Sequence, residues 1–305
     1  MNSSAHYYRT AEIIYFTTNS ISTLVCLVAA YMVFRLRLYR KVVYRLSLYQ
    51  VLASLLLAVM SILATIISIN YTKDPPTYGS VCTAIGWFIV YAQWAKLLFT
   101  AWVTFHLFCL AVLLKNLQRF EVMYVVTSLL VPAVVAIAPA LTNTYSPTGN
   151  CYISAQNDSD HVALIENLVL WDGPALLVLL VAFVAMVVMV IQLSCRARCR
   201  LEYKRISADD TFWKALKQIL PLAAFPILFF IFIIPVLVFD IYVAVVPNPN
   251  PSLELTVLVC IPMWSLTSGA TLLAHISVAR CRARVQMRAL HLQLHDLYVK
   301  FQDAK

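Results

Sequence analysis

Residues 174–193 read PALLVLLVAFVAMVVMVIQL: twenty residues without one charge, followed at once by the basic run SCRARCR over 194–200. About 20 apolar residues in helical form cross the hydrocarbon core of a bilayer. A soluble core helix is shorter and carries a polar face. This stretch therefore reads as a membrane span with a basic border. Working outward, six more apolar runs of this kind appear, giving 12–34, 46–70, 81–114, 122–142, 164–193, 214–245 and 253–279. The whole chain agrees: 62% of its 305 residues are hydrophobic and only 12% charged, against about a quarter charged in soluble domains.

Lipid offers backbone amides no partner, so only helices and closed barrels cross it. Barrel strands are short and alternate in polarity, whereas these runs are long and continuous. The expected fold is an all-α integral membrane bundle of seven transmembrane helices. Residues 1–11 form a short outer N-terminus, 12–279 the bundle, and 280–305 a cytoplasmic tail. The first run is long enough to span by itself, and nothing before it looks like a cleavable signal. The third and sixth runs exceed a bilayer's thickness and should tilt or project. Prolines fall inside the later runs, at Pro132, Pro139, Pro174, Pro226, Pro235 and Pro262. Each removes a backbone donor and can kink its helix.

Orientation follows from the cations, which accumulate on the cytoplasmic side. Of the 23 lysines and arginines, all but Arg9, Lys73 and Lys96 fall in segments on one side. That side is expected to be cytoplasmic, with the N-terminus outside. The net charge of +9 then suits anionic lipid headgroups and calls for no nucleic acid. The sequons at Asn2, Asn70 and Asn157 all fall on the expected outside, as glycosylation candidates. Cys195, Cys199 and Cys281 lie beside arginines at membrane borders, where palmitoylation occurs; inert thiols are the alternative. The tail pairs Arg280, Arg282, Arg284 and Arg288 with Leu290, Leu294 and Leu297, the pattern of an amphipathic helix lying on the membrane.

Cys82 opens the third run and Cys151 lies in the longest outer loop, 143–163. Both face the oxidising side, so a disulfide between them is expected. Lys96 stands fourteen positions beyond Cys82, about 21 Å down the helix. A lone cation at that depth costs about 2.5–3.5 kcal/mol and must face the bundle interior. Gln93, Lys96, Thr100 and Thr104 recur at helical spacing as one polar stripe. Lys96 either holds an anionic group of a ligand or a switching ion pair, or makes a permanent pair with Asp172 or Asp240. Trp264, beside Pro262, is a candidate wall of a ligand cavity. At the cytoplasmic end, Arg45, His106 and His275 are candidates for a lock between helices, or histidines satisfied by backbone carbonyls. Acidic residues dominate the outer half, Glu12, Glu166, Asp172, Asp240 and Glu254, so its mouth should attract cations.

Seven helices, an outside N-terminus, and cysteines at the top of the third helix and in the second outer loop resemble the G-protein-coupled receptor superfamily. The rhodopsin-like signatures are missing. His106-Leu107-Phe108 stands where Asp-Arg-Tyr would end the third helix, the seventh has no Asn-Pro-x-x-Tyr, and the second lacks its aspartate. The pattern is more similar to the cyclic-AMP-receptor-like and secretin-like grouping. It rests on Arg45-Leu46-Ser47-Leu48-Tyr49, on Pro132 with Pro139, and on the segment from Tyr145 to Ile153. The resemblance covers roughly residues 10 to 290. It implies a plasma-membrane receptor that senses an extracellular ligand and signals to a heterotrimeric G protein, with membrane lipid as its other partner.

A seven-helix transporter or channel using Lys96 and the intramembrane carboxylates is the alternative; few glycines and no repeated halves weigh against it. No enzymatic activity, cofactor or metal is expected, since no metal-binding cluster, nucleophile elbow or phosphate loop is present. The seventh run has no lysine for a retinal Schiff base.

Overall fold

The computed structural model describes residues 2–40, 42–71, 75–113, 118–142, 144–146, 151–153, 168–202, 209–245, 259–278 and 280. Seven helices within it are long and apolar enough to cross a membrane, the architecture of a multi-pass membrane protein. The spans are Thr10–Arg35, Tyr44–Ile69, Ser80–Phe108, Glu121–Leu141, Leu168–Gln192, Ala224–Tyr242 and Val259–Val278. The third and sixth belong to helices of 37 residues each, Pro75–Ala111 and Asp209–Val245. At 1.5 Å per residue each is about 56 Å long, longer than a bilayer is thick. The expected amphipathic tail lies outside the described residues, apart from Arg280.

The third span is the most enclosed of the seven and the fifth the least. The third helix packs against the second, fourth, fifth and sixth. Side chains pointing outward are almost wholly apolar: Leu24, Leu177, Leu180, Phe183, Val190 and Ile231 are each half exposed or more. In water such a surface would aggregate; in lipid it is the expected exterior.

Prolines act where the backbone says they should. The fourth span is helical over Glu121–Val135, breaks at Ala136 and resumes over Ile137–Leu141. Pro139 has no N–H to give the carbonyl of Val135, four residues back, and its ring crowds that oxygen. Ala136 instead donates to Pro132 O at 3.0 Å. The hydroxyl of Tyr145 donates to Ala136 O at 3.0 Å, fixing the break against the segment that follows. The sixth helix, by contrast, continues through Pro226 and Pro235.

At the same end as Cys82, Tyr145–Ser146 and Tyr152–Ile153 form a two-stranded antiparallel hairpin, with Tyr145 opposite Ile153 and Ser146 opposite Tyr152. The disulfide Cys82–Cys151 joins it to the third helix, as expected. Gly86 lets the hairpin come this close: a Cβ there would land 2.5 Å from the ring of Tyr145 and closer still to the carbonyl of Cys151.

Candidate functional site

The interior of the bundle is lined by the third span's polar stripe. Gln93, Lys96, Thr100 and Thr104 are all buried, Lys96 and Thr100 with no exposed surface at all. The spacing thus reports a real inward face. Thr100 and Thr104 each return their hydroxyl to the carbonyl four residues back, at 2.8 Å. Gln50 of the second span donates its amide to Thr100 Oγ1 at 3.0 Å, tying the second span to the third at mid-depth.

Lys96 reaches the seventh span. Its Nζ donates to Ser265 Oγ at 3.0 Å and lies 3.6 Å from the centroid of the Trp264 ring. Phe229 of the sixth span packs against that indole, 5.4 Å between centroids. The ion pair with Asp172 or Asp240, one of the two readings of Lys96, is not formed. Among the described residues the only salt bridge joins Arg45 to Glu121. A desolvated cation–π contact is worth about 2 kcal/mol, and a hydrogen bond from a charged donor about 1.5–3 kcal/mol. Together, at about 3.5–5 kcal/mol, they cover the roughly 2.5–3.5 kcal/mol cost of a cation at this depth, so no carboxylate is required. Two atoms beside it are open: Gln93 Oε1, an acceptor, and Trp264 Nε1, a donor, are buried without hydrogen-bond partners.

Asp172, 7% exposed, and the half-buried Asp240 lie on the fifth and sixth spans. Asp172 sits at the end of a π-helical turn, Leu168–Asp172, just before Pro174. Pro174 cannot donate to Leu170 O, its helical partner four residues back. Trp94 of the third span takes that carbonyl with its indole N–H, at 2.8 Å. Trp94 was not singled out from the sequence. A donor-bearing aromatic opposite a proline-freed carbonyl was the available signal.

At the opposite end, Arg45 does engage another helix, but through a residue the sequence did not single out. Its Nε and Nη2 grip the two oxygens of Glu121, which opens the fourth span. Its Nη1 donates to the carbonyls of Tyr39 and Arg40, at 3.0 and 3.2 Å. A lone acid in a first helical turn, facing a border rich in arginine, was the missed signal. His106 is buried edge-on to Tyr124 of the fourth span, 6.3 Å between rings, and its Nδ1 has no hydrogen-bond partner. Tyr124 stacks on Trp102, whose indole N–H donates to Thr127 at 3.0 Å. His275 lies edge-on to Phe225 of the sixth span. The three lock candidates therefore divide between two contacts: Arg45 and His106 against the fourth span, His275 against the sixth.

Of the modification candidates, Cys195 is exposed. Asn2 and Asn70 lie on helical backbone, but their side chains, like that of Cys199, are not described, and Asn157 and Cys281 lie outside the described residues. Among the described residues no group of three or more His, Cys, Asp or Glu could hold a metal ion. An apolar groove of about 720 Å³ opens between the fifth and sixth spans, walled by side chains such as Leu180, Phe183, Phe230 and Ile234. It has no polar lining and stands apart from the stripe.

No protein-family model matches the chain, and no curated protein matches it either.

Proposed function

We propose that the chain is a G-protein-coupled receptor of the plasma membrane. In this reading it has an outside N-terminus, an extracellular ligand and a basic cytoplasmic face that meets a heterotrimeric G protein. The observation that carries this reading is the Lys96 centre. One residue of the most enclosed helix holds the seventh span through Ser265 and Trp264, while an acceptor on Gln93 and a donor on Trp264 stand open. A buried polar atom without a partner calls for a reason. Here the reason is a second arrangement, in which ligand or displaced side chains satisfy those atoms and the third and seventh spans change register. A ligand shifts such an equilibrium only by its differential affinity for the two arrangements.

The rest of the molecule supports the same reading. The Cys82–Cys151 bridge holds the hairpin over one end of the third span, and Arg45–Glu121 clasps the second and fourth spans at the other. Asn2, Asn70 and Asn157 then carry glycans outside, and Cys195, Cys199 and Cys281 are lipidated inside. The amphipathic tail lies along the inner leaflet. The transporter or channel reading needs Lys96 to exchange ions with the carboxylates, and among the described residues it pairs with none.

The test is coupling. The chain is expressed with dissociation sensors for each class of heterotrimeric G protein, and basal signal is compared with empty vector at matched surface expression. A basal signal that changes on Lys96→Met supports the receptor. Silence for every class, together with ion flux in liposomes that Lys96→Met abolishes, replaces it with the transporter.

A further inference from the structure

Four arginines at the basic end of the bundle lie outside the Lys96 centre. Arg35 ends the first helix, Arg37 and Arg40 follow it, and Arg119 precedes the fourth span; all four are exposed. Among the described residues the only salt bridge joins Arg45 to Glu121, so none of the four is paired with a carboxylate there. Arginines at a membrane border are ordinarily explained by topology alone. Here the backbone that carries them is held in a specific way.

Arg37 stands just past the first helix, Asn2–Arg35, with φ at 52°. That left-handed position at a helix end usually falls to glycine, because a Cβ crowds the carbonyl that follows. Its N–H donates to Phe34 O at 3.0 Å, and a short 3-10 turn, Leu38–Arg40, comes next. Arg45 fixes that turn: its Nη1 donates to Tyr39 O and Arg40 O, while its Nε and Nη2 hold Glu121. Arg119 stands two residues before Glu121, in the 3-10 turn Gln118–Phe120. One clasp, itself neutral, thus ties both arginine-bearing turns together. A residue kept in a sparsely populated backbone region is a pointer to function. Beside the arginines, Tyr31, Phe34 and Tyr39 are also exposed, and the Arg35 guanidinium lies 5.9 Å from the centroid of the Tyr31 ring. Exposed aromatic side chains at a span's end sit at headgroup level, which favours a lipid over a soluble acidic protein.

We propose that Arg35, Arg37, Arg40 and Arg119 form a binding site for the headgroup of an anionic phospholipid, displayed by the Arg45–Glu121 clasp. Guanidinium forks grip phosphate oxygens two at a time. No covalent bond is made or broken. An arginine in place of glycine at position 37 gives up some stability at the helix end to put a cation in the site. The site rests on the orientation proposed above, because anionic lipid is concentrated in the cytoplasmic leaflet; it does not need coupling to a G protein.

The experiment is native mass spectrometry of the purified full-length chain, counting bound phosphatidylserine against phosphatidylcholine of the same acyl chains. Phosphatidylserine should be preferred. A basic side chain near the surface strengthens such binding about fivefold, so Arg37→Gly and Arg119→Gln should each lower the preference by about that factor. Arg198→Gln, on the fifth helix, should leave it unchanged. Thermal unfolding separates loss of the site from misfolding: the unfolding temperature of Arg37→Gly should hold or rise, since glycine adopts the left-handed backbone freely. The double variant Arg45→Ala with Glu121→Ala keeps the net charge and frees the turns, so it too should lower the preference. An equal loss with Arg198→Gln, or none with the double variant, overturns the site, since net charge alone would then set the binding. A wild type without preference overturns it as well. So does tighter binding of inorganic phosphate or of a polyglutamate peptide than of the lipid. G-protein coupling is scored separately on cells. Silence for every class with phosphatidylserine preferred overturns the receptor reading alone, and coupling without the preference overturns the site alone.

Discussion

Replacing Lys96 with methionine should cost the protein no more than about 2.5 kcal/mol. The substitution keeps most of the stem's length and removes the amino group. Lost with it are the contact with the Trp264 ring, 3.6 Å away, and the hydrogen bond to Ser265. These are worth about 2 kcal/mol and about 1.5–3 kcal/mol. Gained is relief from placing a cation in the membrane interior, about 2.5–3.5 kcal/mol. What is lost, about 3.5–5 kcal/mol in sum, exceeds what is gained by about 0–2.5 kcal/mol, each kcal/mol being roughly 2–4 °C in unfolding temperature. Ser265→Ala is different, because it strips one partner and keeps the amino group. It should lower stability by about 1.5–3 kcal/mol. In the double variant the serine's contribution is already gone, so adding Ser265→Ala to Lys96→Met should do little more, a coupling that a double-mutant cycle reads directly. The assay is thermal unfolding of all four proteins in one detergent, followed by a thiol-reactive dye. A loss of about 3–5 kcal/mol on Lys96→Met would refute the reasoning: that is the effect of breaking a buried ion pair, and it would mean that a carboxylate partner exists.

Three other substitutions probe separate joints. Gly86→Val places two methyl groups where the Tyr145 ring and the Cys151 carbonyl already stand; it should destabilise by about 1–3 kcal/mol or more, and disulfide mapping by mass spectrometry should find less Cys82–Cys151. Trp94→Phe removes the indole donor from the Leu170 carbonyl and should cost about 1–3 kcal/mol in unfolding measurements, although the ring remains. Arg45→Ala leaves Glu121 without its counter-charge; because the two side chains are 30% and 15% exposed, the loss should be about 1 kcal/mol rather than that of a fully buried pair, and adding Glu121→Ala should restore part of it.

Much of the fold was legible because lipid imposes a length. Runs such as 174–193 need no partner to be recognised, and the inward face of the third span followed from four polar residues at helical spacing. What the periodicity lacked was the identity of neighbours. It placed Lys96 inside correctly, yet the choice between a carboxylate and Ser265 with Trp264 depends on how the third helix is rotated against the seventh. Asp172 and Asp240 were read as possible partners for Lys96 because opposite charges invite pairing. The bundle sets them on the fifth and sixth spans, while Lys96 turns to Ser265 and Trp264 of the seventh. Arg45 was expected in a contact between helices and is in one; Glu121 was overlooked because a single acid in a first turn also serves as an ordinary helix start. The disulfide was legible because chemistry, not packing, selects it.

Pro174 and Trp94 illustrate how a gap in one helix can act as an address for another. A helix without proline keeps its carbonyls to itself and looks much the same to a neighbour at every turn. Deleting one N–H exposes a single oxygen at a single height, and only a donor at the matching height can take it. The indole of Trp94 does so, and sliding either helix by one turn, about 5.4 Å, would leave both groups unsatisfied in a medium that offers no water. Greasy cylinders have little else to tell them where to stop. In this protein the vertical alignment of the third and fifth spans is written as one missing hydrogen and the tryptophan that answers it.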